Sequence, residues 1–229
     1  MKKYFSHLKT VLVFTYLAFQ SFTSIGQVKK FGIKAGANIT SFSSRDSMGV
    51  STGGSVYGYQ AGVYFNLPFG RFAIQPGLAF ISKGGYQTYI NNTGPQQSDY
   101  TVKYDPKYLE VPVNILYAVK TGNVSIGIGT GAYFAYAIGG SSEGNGILYG
   151  QSLSQAINKL NFGEGRDVSL SRFDYGINGL INFELPNQLG LNLNYSHGFS
   201  KINPNSPGGN AFYSDVNNRS LSLSATYNF

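Results

Sequence analysis

The chain has no cysteine and no tryptophan, and only 12% of its residues are charged. Without cysteine there are no disulfides, no thiolate metal sites and no lipid attached through sulfur. The charged fraction is about half the level of roughly 25% usual in soluble domains. Histidine is nearly missing as well, with two in the chain. One of them, His7, falls in the N-terminal segment, which leaves His197 and scattered acids as a poor ligand set for a metal. After that segment no stretch approaches 18 apolar residues in a row, so no later transmembrane helix is expected.

What the chain does have is glycine (30), tyrosine (18) and phenylalanine (17). So many aromatics argue against disorder, and the mixture suits an all-β protein. The N-terminus reads as an export signal. Lys2, Lys3 and Lys9 form a positive region, Val11 to Phe19 a short apolar core, and "SIGQ" (Ser24 to Gln27) offers small residues for cleavage after Gly26. The expected organisation is a signal peptide over 1–26 and one β-barrel domain over 27–229. Losing the three lysines lowers the formal charge from +7 to +4. Without a basic cluster, nucleic acid is not an expected partner.

The rest of the chain alternates with a period of two, which places one set of side chains on each face of a strand. Eight segments do so: Phe31 to Phe42, Ser55 to Asn66, Arg71 to Gly84, Lys107 to Lys120, Asn123 to Ala137, Arg172 to Leu185, Leu189 to Ser200, and Arg219 to Phe229. One face is large and apolar, as in Leu109, Val111, Val113, Ile115 and Tyr117. The other is small or polar, as in Gly127, Gly129 and Gly131, or Asn178, Asn182 and Asn192. Alternation alone leaves two readings open, a soluble core or lipid on the apolar side.

The connections discriminate. "LPFG", "TG" and "PNQ" are short turns, and the four connections between them are long. Strict short–long alternation with an even strand count predicts an eight-stranded antiparallel transmembrane up-and-down barrel, with short periplasmic turns and long extracellular loops. Pro76 and Pro112 fall inside predicted strands, where proline cannot donate to the ladder, and each is expected to mark a bulge. Within so narrow a barrel side chains fill the lumen. Lys34, Lys83, Glu110, Asp174 and Glu184 all have inward parity, and buried charges must be paired. An interior salt-bridge cluster is therefore expected among them.

The segments "YLEVPVNILY" (Tyr108 to Tyr117), "PGLAFISKGG" (Pro76 to Gly85), "DYGINGLINFEL" (Asp174 to Leu185) and "NLNYSHGFSKINP" (Asn192 to Pro204) resemble the Bacteroidetes outer-membrane β-barrel family, the PorT-like group also called porin-family proteins. The resemblance implies residence in the outer membrane, with lipid, lipopolysaccharide and the barrel-assembly machinery as partners. It also implies that the closing strand "LSLSATYNF", through Tyr227 and Phe229, carries the C-terminal assembly signal and pairs with the first strand, since lipid forbids an open edge. One branch of the group is associated with type IX secretion.

No enzyme signature emerges. The glycines from Gly127 to Gly131 lie on one strand face and do not form a dinucleotide loop between strand and helix. His197 has Ser196 and Ser200 near it in sequence, but Ser196 points the other way and no carboxylate is close. The loop acids Asp46, Asp99, Asp105, Glu143, Glu164, Asp167 and Asp215 read as solvated. "LSQAINKL" (Leu153 to Leu160) has helical spacing and is expected to form a short amphipathic helix over the barrel mouth. No catalytic residue, cofactor or metal is expected. The leading expectation is a non-enzymatic barrel with a structural or interaction role, meeting an envelope protein partner through its loops. The alternatives are a type IX secretion component, a small-solute porin and a lipid-modifying enzyme.

Overall fold

A computed structural model describes residues 30–44, 50–91, 98–148, 151–163, 170–202 and 216–229. The expected signal peptide and the acids Asp46, Glu164, Asp167 and Asp215 lie outside the described residues. Eleven strands appear among them: β1 (Lys30–Ser44), β2 (Val50–Thr52), β3 (Ser55–Phe69), β4 (Phe72–Ser82), β5 (Gly85–Asn91), β6 (Ser98–Thr121), β7 (Val124–Leu148), β8 (Gln151–Lys159), β9 (Phe173–Glu184), β10 (Leu189–Gly198) and β11 (Val216–Asn228).

Eight of these close a ring in the order β1, β3, β4, β6, β7, β9, β10, β11, every pair antiparallel. The seam is β1 against β11, from Gly32 opposite Asn228 to Ser44 opposite Val216. Beyond Asn228, the amide of Phe229 still donates to the Phe31 carbonyl at 2.7 Å. Two turns are as tight as hairpins allow, and each starts on a glycine with positive φ, Gly70 (65°) and Gly122 (60°). Short turns and both ends of the described barrel lie on the periplasmic side.

The side-chain arrangement is that of a soluble protein turned inside out. Ile33, Leu78, Val113, Ile115, Ile128, Leu191 and Leu223 are exposed, whereas Asn38, Gln60, Asn114, Asn178, Asn192 and Ser222 are buried. Aromatic rings flank the aliphatic band at both heights. On the periplasmic side Phe31 stands 5.4 Å from Phe65 and 5.6 Å from Phe229, and Phe72 stands 5.3 Å from Tyr117. On the extracellular side Phe173 lies 5.5 Å from Phe134 and 5.4 Å from Tyr136. Two aromatic girdles around an apolar belt define the membrane-embedded zone.

Three sequence expectations change. The stretch Leu153 to Leu160 is not a helix, because Gln151–Lys159 is β8, paired to β7. Leu153 lies opposite Gly146 and Ala156 opposite Gly144, so two residues of β8 face one of β7 at a register shift. A bulge inserts one residue, so positions three apart on β8 meet positions two apart on β7, and that spacing imitates a helix. Pro76 and Pro112 mark ladder gaps without any register shift: β4 pairs β6 at Pro76–Val113 and again at Ala79–Glu110 in the same register. Gly77 stands at the gap, and a side chain there would meet the Pro112 ring at 3.4 Å. The missing ladder bonds thus leave a locally open pairing in an unchanged register. Finally, β6 and β7 do not stop at the membrane. They run 24 and 25 residues and join β5, β8 and β2 in a five-stranded sheet above the barrel.

Candidate functional site: the filled lumen and the sheet above it

Alternation delivers every second residue of eight strands to one narrow lumen, where they stack in levels. Near the periplasm Tyr64 donates to the Asn228 side chain at 2.9 Å and Gln75 to the Asn66 oxygen at 2.8 Å. Midway, Gln60 donates to Ser224 at 2.7 Å, Asn178 to Asn114 at 3.3 Å, and Asn192 to Asn182. Amides and hydroxyls both donate and accept, so they can satisfy one another where water is scarce. The internal cavity at this level, lined by Lys34, Glu110, Asn114 and Asn182 among others, amounts to only ≈ 10 Å³, about the space of one water.

Above it lies an ionic level. Lys83, 1% exposed, follows β4 and sits between Glu110 of β6 and Asp174 of β9, with Nζ 2.7 Å from Glu110 Oε2 and 3.2 Å from Asp174 Oδ2. Its ammonium also lies 3.9 Å from the centre of the Tyr133 ring, a distance at which the ring quadrupole attracts a cation. Asp174 is fully buried. Besides Lys83 it accepts from Ser200 Oγ at 2.6 Å, Asn218 Nδ2 at 2.9 Å and Tyr133 OH at 3.2 Å. A carboxylate can stay charged in a dry interior when this many donors surround it.

The five charged residues of inward parity therefore separate. The structure brings Lys83, Glu110 and Asp174 together. Lys34 lines the cavity beside Glu110, opposite Gly62 and Thr226, while Glu110 is engaged by Lys83. Glu184 is at the periplasmic end of β9, opposite Ser125 and Gly190, far from Asp174 at the other end of the same strand. Tyr133, Ser200 and Asn218 complete the cluster, a role that sequence alone assigned to none of them. Parity points Tyr133 inward with Gly127 to Gly131 and Ser200 inward with Ser196, but nothing in the sequence says that both meet at Asp174.

The top level is apolar, which sequence reading missed altogether. Phe42, Leu160, Leu170, Ile202 and Val216 form a buried cluster, with Tyr104 and Phe162 packed against it. They come from the extracellular end of β1, the stems around β8 and β9, the stem after β10 and the start of β11. Contributions scattered over five places in the chain carry no local periodicity. Together they plug the extracellular mouth over the ion cluster.

Outside the lumen, His197 lies opposite Ile177 and Arg219, with its ring 5.7 Å from Phe199. Ser200 is turned inward onto Asp174. Among the described residues no group of three His, Cys, Asp or Glu is placed to hold a metal. Of the loop acids, Asp105 pairs with Lys107 at 2.8 Å, while Asp99 and Glu143 lie with Tyr86, Thr101, Lys103 and Asn145 along an open groove on the extracellular sheet. Tyr227 and Phe229 meet edge to face at 4.9 Å in the periplasmic girdle.

No curated protein matches the chain. Solved structures similar to it include the attachment invasion locus protein Ail of Yersinia pestis, 13% identical over 89% of this chain and 100% of that one, with a TM-score of 0.42. Neisserial surface protein A is 15% identical over 89% and 100%, with a TM-score of 0.40. The outer membrane enzyme PagL is 13% identical over 83% and 98%, with a TM-score of 0.39. The profile of the outer membrane protein beta-barrel domain family matches residues 25–203. Closed ring, inverted polarity and family match agree: the chain belongs to the outer membrane protein beta-barrel domain family and is an integral protein of the bacterial outer membrane.

Proposed function

We propose that the protein is a non-enzymatic barrel that acts by contact, through the sheet it carries above the outer leaflet. The observation that supports this most is the continuation of β6 and β7 past the membrane into a sheet with β2, β5 and β8. The partner on this reading is an envelope protein or a surface glycan met at the groove of Tyr86, Thr101, Lys103 and Asn145. Lipid and lipopolysaccharide surround the belt, and the barrel-assembly machinery meets the strand bearing Tyr227 and Phe229. The place of the chain in the PorT-like group rests on the four segments quoted above.

A photo-crosslinking residue at Thr101 tests the reading in living cells, with one at Asn123 of a periplasmic turn as control. Adducts from Thr101 that disappear when Tyr86 and Lys103 are replaced by alanine support it. Identical adduct patterns with and without those replacements would sink it. The filled lumen argues against a small-solute pore, and silence in planar bilayers is the expected result. The neighbours of His197 (Ile177, Arg219, Tyr195 and Phe199) supply neither a hydroxyl nucleophile of serine type nor a carboxylate, which argues against lipid hydrolysis there.

A further inference from the structure

On the lipid-facing surface, the extracellular end of β11 carries a charge in an apolar setting. Leu221 and Leu223 point outward and are exposed. The next outward residue toward the cell exterior is Arg219, also exposed. Opposite it stand His197 of β10 and Ser41 of β1, neither of them an acid. Among the described residues Arg219 makes no ion pair. Directly paired residues of an antiparallel ladder hold their Cβ atoms about 5 Å apart, so the guanidinium and the imidazole share one patch. Two further cations top the neighbouring strands. Arg172, just before β9, leans over the Tyr136 ring at 5.9 Å, and Lys201 follows β10. The three strands are adjacent, about 5 Å apart. The result is an arc of positive charge at the upper edge of the aromatic girdle. Another outward cation near this height, Lys107 on β6, is matched by Asp105 at 2.8 Å.

A cation on the lipid face of a barrel costs least near the interface, where polar headgroups are at hand to meet it. Phosphate answers guanidinium in charge and in hydrogen-bond geometry. We propose that the outer end of β9, β10 and β11 is a binding site for a phosphorylated glycolipid headgroup of the outer leaflet, with Arg219 and Arg172 as its phosphate ligands and His197 as a flanking donor. The acyl chains of the same lipid then lie along Leu221, Leu223, Tyr195 and Ile177 below. Lys107, already paired, takes no part.

The test titrates the refolded barrel in a neutral detergent with bis-phosphorylated lipid A and counts retained lipid by native mass spectrometry. Binding by wild type is expected to weaken about 25-fold in the Arg172→Gln/Arg219→Gln variant, about five-fold per cation, and to change less than about two-fold in Lys107→Gln. Dephosphorylated lipid A, used with wild type alone, is expected to bind no better than phosphorylated lipid A binds the double variant. This arm needs no mutant to fold. Equal retention of the two lipids by wild type would mean that acyl packing alone holds them and would overturn the proposal, as would undiminished binding by a double variant that migrates as a folded barrel. Displacement of lipid A by millimolar inorganic phosphate would also overturn it, because the site would then take a free anion.

Discussion

At the scale of single residues, Asp174 carries the most. Four side chains converge on it, whereas Glu110 is engaged by the ammonium of Lys83. Removing one side of a buried pair costs about 3–5 kcal/mol, because the other charge is left unmatched. Asp174→Ala is therefore expected to lose about that much, and Glu110→Gln clearly less, since glutamine still accepts from Lys83. With no tryptophan to report, urea unfolding followed by circular dichroism in lipid vesicles is the measurement. Equal losses would show that the cluster is not organised around Asp174. Glycine gives a second comparison. A methyl added at Gly131 would run into the Val113 carbonyl and Asn114, whereas at Gly127 its tightest contact would be the end of Leu116 at 3.2 Å. Gly131→Ala should lower the yield of folded barrel several-fold more than Gly127→Ala, read as the heat-modifiable band on a gel.

At the scale of elements, a membrane strand declares itself because lipid and lumen enforce alternation at every step. All eight ring strands were legible for that reason, within a few residues at the membrane. Legibility failed where that constraint ends. The continuation of β7 reads "GGSSEGNGIL", with too few apolar residues to alternate, and β8 hides behind its bulge at Ser154 and Gln155. The charge cluster was readable as parity but not as pairing: five residues qualified, height along β9 separates Glu184, and Lys34 stands beside a Glu110 that Lys83 already engages. The plug was unreadable, since Leu170 and Ile202 belong to no strand. Its expected role is closure. Ile202→Asn with Phe42→Ala should admit water to the upper lumen and speed amide exchange at Val216 and Asn218, yet leave no steady conductance while Lys83, Glu110 and Asp174 still fill the level below. The seam makes a different prediction. Deleting Phe229 removes a ring from the girdle and one bond to Phe31. It is expected to slow assembly into outer membranes much more than it lowers the melting temperature of barrels already folded. A matching drop in both would mean that the residue is only structural.

At the scale of the whole molecule, polarity is inverted and then layered: aliphatic belt and aromatic girdles outside, amides, ions and finally apolar plug inside. With tryptophan absent, tyrosine and phenylalanine build both girdles. The folded protein is expected to migrate anomalously on unheated gels, to show a β-rich spectrum in detergent, and to pass no ions in planar bilayers. A steady open level would refute the filled lumen.

The β6–β7 overhang has a mechanical meaning. The paired segment from Lys107 up to Asp99 spans about 26 Å at roughly 3.3 Å per residue. It continues the strands fixed in the membrane through a single register shift at Lys107/Tyr108, so it behaves as a mast instead of a tether. A flexible loop of equal reach would surrender its conformational freedom on meeting a partner. The mast has already done so during folding. What it holds aloft is presented at a set height and bearing, and on the proposed reading a partner meeting it there need spend little on bringing the surface to order.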